Sequence, residues 1–148
     1  SSAASDVYKR QEFAMRLMHL GKESHWVWDD TTPSMGKGDL FICACGSADV
    51  AHENTLCDNA KKTGATLILI TPSAKGHILE IADKVIRIPA TAYKAVYNSE
   101  DEYVPTVQMM GNQFEQALLV FFDVIVMMIS EEMGISKEEM ESRHRNIE

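Results

Sequence analysis

The chain has 148 residues, 45% of them apolar and 24% charged, which is enough for one domain with a sizeable core. Its formal net charge of −8 at pH 7 argues against a nucleic-acid or anionic-membrane surface, because both reward clustered Lys and Arg. An anionic ligand must therefore be held by local backbone N–H groups and a few cations.

Residues 1–11, Ser-Ser-Ala-Ala-Ser-Asp-Val-Tyr-Lys-Arg-Gln, match in order the in-frame translation of a transposon-type sequencing adapter. They are expected to be non-native and to pack against nothing of consequence. The native part is then 12–148, with a net charge of about −9 once Asp6, Lys9 and Arg10 are set aside.

Phe13, Met15, Leu17, Met18 and Leu20 recur at near-helical spacing before Gly21, so residues 12–20 read as the end of a helix with a glycine cap. Residues 25–28 read as a short strand, followed by the loop chemistry of Asp29-Asp30-Thr31-Thr32-Pro33. Gly36-Lys37-Gly38-Asp39 is a turn, and residues 40–44 form an apolar run short enough for a buried strand. Cys43 and Cys45 lie in or just after that run and Cys57 further on. Cys-x-Cys without a second Cys or His pair is poor zinc spacing, so all three are expected to be reduced thiols in a cytoplasmic protein.

Gly46-Ser47-Ala48-Asp49 leads into a helix ending near Gly64, and residues 66–71 are rich in β-formers up to Pro72. A short helix at 76–82 and a strand at 85–88 complete a strand–helix alternation that predicts a parallel sheet covered by helices. Residues 93–105 read as an irregular connecting loop. From 112 to about 133 one helix is apolar almost all round, which implies burial on several sides and hence a subunit interface. Its longest apolar stretch, 117–129, is interrupted by Asp123 and reads as too short to cross a bilayer. Ser136-Lys137-Glu138-Glu139 is a capping box for a last short helix.

Two clusters carry the chemistry of proton transfer on an anionic substrate. Glu115 follows Phe114 in the first turn of the long helix, where the macrodipole favours negative charge, although first-turn glutamates are also common for stability alone. His144 stands between Arg143 and Arg145, which oppose a third positive charge and suit it to act as acid or base near neutrality. A solvated tail is the other reading. Ser47 and the amides around Gly46 have the makings of an anion nest or of a plain strand-to-helix turn. Thr31 and Thr32 either line a site as hydroxyl donors or cap the turn at Pro33. His19, His25, His52 and His77 share no spacing that would make a metal site, so packing or surface roles are expected. The Met-rich set Met109, Met110, Met127, Met128 and Met133 reads as core and interface.

Five segments in order and register resemble the sugar isomerase (SIS) domain family, and within it the 6-phospho-3-hexuloisomerases. They are Phe13-Ala14-Met15-Arg16-Leu17-Met18-His19-Leu20-Gly21, Thr31-Thr32-Pro33, Gly38-Asp39-Leu40, Met110-Gly111 with Phe114-Glu115-Gln116, and Arg143-His144-Arg145-Asn146. The resemblance implies an α/β fold, a flavodoxin-like three-layer arrangement with a five-stranded parallel sheet whose first strand and Gly-rich phosphate loop lie upstream of this sequence. It also implies a phosphosugar site at strand C-terminal ends, a homotetramer, and interconversion of 3-hexulose 6-phosphate and fructose 6-phosphate through an enediolate without metal or cofactor. By the same resemblance Glu115 is the catalytic base, His144 reaches the neighbouring subunit's site, and Gly46, Ser47, Thr31, Thr32 and Asn112 bind substrate. Partners other than a phosphorylated sugar and further copies of the chain, whether nucleic acid or membrane, are not expected.

Two departures stand out. The family's usual Gly-Ser-Gly is Gly46-Ser47-Ala48, where a methyl obstructs close approach and disfavours positive φ, and the usual Ser or Thr after Met-Gly is Asn112. Ala48, with the first phosphate loop expected upstream of this sequence, favours a rival reading, a phosphosugar-binding SIS domain that senses or regulates without catalysing.

Overall fold

Strand and helix alternate along the chain as the hydrophobic pattern predicts. The computed structural model describes residues 2–98 and 103–147, with side chains from Arg10 onward in the first helix. The elements are α1 (Ser2–His19), β1 (Leu40–Ala44), α2 (Ala51–Thr63), β2 (Thr66–Thr71), α3 (His77–Ile81), β3 (Lys84–Arg87), α4 (Asn112–Met133) and α5 (Lys137–Ser142). They fall into two compact units, Pro33–Ala117 and the combination of Ser1–Thr32 with Leu118–Glu148.

The first unit is built on the sheet. Its strands run parallel in the order β1-β2-β3, with Cys43 opposite Leu69 and Ile70 opposite Ile86. The period of two sends Cys43, Cys45, Leu67 and Leu69 to one face, where they pack with Cys57 and Ile78 in one buried cluster. Ala44 and Ile70, on the opposite face, are buried as well. Burial on both faces is what a parallel sheet requires, and each fully buried leucine contributes about 1.5–3 kcal/mol. The three cysteines are free and buried, and burial together with Glu53 pushes the Cys45 thiol up to about 12. They are packing groups.

Glycine and a carboxylate set the joints. Gly64 ends α2 in the left-handed region at φ 86°, a position that costs other residues strain. Asp83 then accepts from Lys61 Nζ at 2.5 Å and from the Leu67 amide at 2.7 Å, tying α2 to the sheet. Those two donors hold its carboxyl below the usual range.

The second unit is helical. Phe13 of α1 stacks on Phe122 of α4 with ring centroids 4.1 Å apart, Arg16 meets Asp123 at 2.8 Å, and Leu20, Leu118 and Val126 are buried. Helix α1 closes on a Schellman motif, Gly21 N donating to Met18 O and Lys22 N to Leu17 O, with Gly21 at φ 77°. Ser136 caps α5 by accepting from the Glu139 amide at 3.1 Å, as the capping box predicts.

Several expectations need correction. The helix placed at 12–20 begins at Ser2, while the side chains of residues 1–9, on which the packing expectation for 1–11 mainly rests, lie outside the described residues. The strand expected at 25–28 does not form. Asp29 N closes on Trp26 O and Thr32 N on Asp29 O, so the turn chemistry of Asp29 to Thr32 overrides the β-propensity of Trp26-Val27-Trp28. The sheet has three strands among the described residues, one fewer than the family's five leave once the first is taken as lying upstream.

Helix α4 has 22 residues and a mean hydropathy of 1.6 over its most apolar window, so by length and composition it could cross a bilayer, contrary to the expectation from the shorter run. Met109, Met127, Met128 and Met133 are exposed in the isolated chain and so do not belong to its core.

The tightest joint lies at Gly76, whose φ is 149° and where an added Cβ would overlap the Ala48 carbonyl and sit 3.0 Å from the Ala48 methyl. Backbone cannot retreat as a flexible side chain does. Gly76→Ala is expected to destabilise the fold by more than about 2 kcal/mol, read as a lowered urea midpoint at constant slope. A loss below about 0.5 kcal/mol would show that the loop yields.

Candidate functional site

At the carboxyl end of β1 the sheet ladder finishes with Cys45 N donating to Ile70 O at 3.0 Å, and the chain turns into α2 over four residues. Gly46 is close-packed: an added Cβ would stand 2.9 Å from the Ala92 methyl and 3.7 Å from the Phe114 ring. Ser47 is buried, and its Oγ accepts from the Asp49 amide at 3.4 Å. Ala48 adopts φ 56°, the left-handed conformation that glycine takes without strain and a β-carbon disfavours. Its carbonyl accepts from Ile78 N at 3.1 Å and its methyl is fully buried, so packing and one hydrogen bond offset a strain of about 1–2 kcal/mol. Val50 then starts α2 without a side-chain cap, the arrangement a helix start takes when a bound anion supplies the acceptor.

The same turn touches the start of α4. Phe114 is buried against Gly46, its amide donates to Thr91 O at 3.3 Å, and Gln113 Oε1 accepts from the Thr91 amide at 2.6 Å. Tyr97 braces the approach, its hydroxyl accepting from Ala92 N and donating to Ala90 O. Glu115 follows directly. It is 7% exposed, and its Oε1 lies 3.6 Å from where a Cβ on Gly111 would stand. The carboxylate thus folds back towards the N-terminal end of its own helix, the pole that complements negative charge. Met110 takes φ 57° to make that entry, and Asn112 is exposed on the same turn.

Gly46, Ser47, Asn112 and Glu115 therefore belong to one unit and one joint. Thr31, Thr32 and His144 belong to the other. Thr32 Oγ1 donates to Trp26 O at 2.7 Å, which is the turn-closing reading, and Thr31 is exposed.

His144 Nδ1 is 3.2 Å from His19 Nε2, with the rings edge to face at 5.1 Å. His19 is buried, and burial, with His144 and Arg16 close by, pushes it below the usual imidazole range. Spacing had assigned His19 to packing, since residues 125 apart share no local pattern. Only its place in one of the five resembling segments marked it. A separate groove of about 550 Å³ is lined by Arg16, Asp123, Met127, Ser130 and Met140, but its arginine already pairs with Asp123.

No protein-family profile matches the chain. It is 34% identical over 138 residues to the 3-hexulose-6-phosphate isomerase of Bacillus subtilis (strain 168), an alignment covering 93% of this chain and 72% of that protein. With the 3-hexulose-6-phosphate isomerase of Methanocaldococcus jannaschii it shares 35% over 135 residues, 91% of this chain and 68% of the other. A crystal structure of a protein from Methanococcus jannaschii, whose molecular function was inferred to be 3-hexulose-6-phosphate isomerase, superposes with a TM-score of 0.77 at 33% identity. That superposition covers 95% of this chain and 72% of that one.

Replacing Ala48 by glycine separates strain from packing. Relief of the left-handed strain, about 1 kcal/mol, opposes loss of one buried methyl, about 0.8 kcal/mol, so the stability of Ala48→Gly should stay within about 1 kcal/mol of the parent in thermal unfolding. A larger loss would mean that the methyl holds the loop in place.

Proposed function

Because the chain belongs to the 3-hexulose-6-phosphate isomerase family, we propose that it interconverts 3-hexulose 6-phosphate and fructose 6-phosphate. The carrying observation is Glu115, buried at the first turn of α4 next to Phe114, which packs on Gly46 at the end of β1. Glu115 takes the proton from C2 of the 3-ketose, leaving an enediolate across C2 and C3. Returning the proton to C3 gives the 2-ketose, with no net redox change and no demand for a metal or cofactor. The phosphate sits at the Gly46–Asp49 turn, with Ser47 as hydroxyl partner and Asn112 nearer the sugar, and its binding energy positions the reacting carbons. His144 serves as the acid–base group for the substrate oxygens.

A phosphosugar binder without catalysis is the second reading, and the Ala48 methyl favours it. That residue nevertheless takes the left-handed conformation of the glycine it replaces. A coupled assay for fructose 6-phosphate separates the two readings. We place the protein in the cytoplasm, in formaldehyde assimilation by the ribulose monophosphate route or in the reverse direction.

For the base, Glu115→Gln should preserve phosphosugar binding and lower kcat by roughly 10² to 10⁴, since the amide keeps the volume but cannot accept the carbon-bound proton. Ser47→Ala should instead raise KM with kcat little changed. Normal turnover by Glu115→Gln would remove Glu115 from the mechanism.

Assembly is proposed as a homotetramer, with His144 contributed to a neighbouring subunit's site. Val120, Val124, Met127 and Met128 form an exposed apolar stripe at positions one and two turns apart on α4, and such a stripe calls for a partner. Light scattering should report four copies, and Met127→Glu should shift the species to lower mass. A soluble monomer at micromolar concentration would contradict the tetramer.

A further inference from the structure

The contact between His19 and His144 lies outside the base chemistry assigned to Glu115. Helix α1 ends at His19, and its closing turn pairs the carbonyls of Arg16, Leu17 and Met18 with the amides of Leu20, Lys22 and Gly21. The next carbonyl, His19 O, accepts from Arg143 Nη1 at 2.9 Å. Arg143 also pairs with Glu139 and lies flat over Gly21, where an added Cβ would stand 3.3 Å from its Cζ. The residue before His144 is thus fixed to the residue that His144 meets. Backbone bracing on one side and a ring-to-ring contact of 3.2 Å on the other leave the His144 imidazole little choice of orientation.

Only one hydrogen fits between two imidazole nitrogens at that distance, so one ring donates and the other accepts. The surroundings decide which. His19 is 9% exposed, with Arg16 one turn earlier on α1 and Arg143 across from it, and Glu139 is committed to Arg143. Positive charge is therefore least welcome on His19. The His144 ring, by contrast, is exposed.

We propose that His19 is the positioning residue for His144: its Nε2 lone pair accepts the proton on His144 Nδ1, which fixes His144 in the tautomer whose Nε2 exchanges protons with substrate. This rests on the acid–base reading of His144 given above. As the carbonyl moves from C3 to C2, the O2–H bond of the enediolate breaks with its proton passing to His144 Nε2, and the Nε2–H bond then breaks as an O–H bond forms at O3, so the ring ends as it began and the Nδ1–H bond to His19 stays in place throughout. A packing role would need only the volume of the His19 ring, whereas this one needs an acceptor atom where Nε2 lies.

Long-range ¹H–¹⁵N spectra of the imidazoles in the intact chain read the tautomers directly. His144 should be protonated at Nδ1 and His19 unprotonated at Nε2. His19→Leu should abolish that preference at His144, and His19→Gln should keep it through its amide oxygen. In turnover, His19→Leu should lower kcat on the order of 10-fold at unchanged KM, with His19→Gln recovering most of the loss. An identical His144 tautomer in the parent and in folded His19→Leu would overturn the proposal, as would full kcat in His19→Leu beside an inactive His144→Gln. Full activity in His144→Gln would instead overturn the acid–base reading of His144, and the spectra, which need no turnover, would then decide the pairing alone.

Discussion

The organisation of the sheet unit depends on the close packing of three segments against the turn that ends β1. Gly46 is pressed by Ala92 and Phe114, and Ala48 is turned left-handed so that its carbonyl receives Ile78 N with Gly76 lying against it. The turn cannot relax without moving α3, the segment after β3 or the start of α4. That is how an irregular stretch of four residues becomes fixed in place. Its strain costs about 1–2 kcal/mol, and one net hydrogen bond with one buried methyl offsets most of it.

An anion can bind a chain of net charge −8 only if local terms outweigh the overall field. Screening makes that possible, since at physiological ionic strength charges more than about 8 Å apart in solvent are largely masked. Within that radius the amides of the Gly46–Asp49 turn and the uncapped start of α2 supply partial positive charge without a single lysine. Because such donors are fixed in place, they select by position as well as by charge.

Much of this was legible from residue pattern. The runs at 40–44, 66–71 and 112–133 declared their elements by length and periodicity, and Gly21, Gly64 and Ser136 declared the helix ends. Residues 25–28 misled because Trp and Val favour strands wherever a partner strand exists. Nothing in a single sequence states whether one does. Ala48 misled for a related reason: its intrinsic dislike of positive φ is smaller than the packing and hydrogen bonding that impose it, and those come from residues nearly thirty positions away. Of the candidate site, Glu115 and Ser47 could be picked out locally. Their joint could not, because it is made by Gly46 meeting Ala92 and Phe114.

Both proposed acid–base groups are placed by helix ends, and the chemistry of helix ends explains why. In the middle of a helix every backbone polar group is already paired, and a buried ionisable side chain there has only other side chains to answer it. At an end, unpaired amides or carbonyls provide partners of a known sign. Glu115 stands in the first turn of α4, the pole that complements a carboxylate, whereas Arg143 meets the last turn of α1, where the His19 carbonyl accepts from its guanidinium. A carboxylate and a guanidinium are thus each placed at the helix pole of opposite sign, and exchanging them would set like charge against like at both ends.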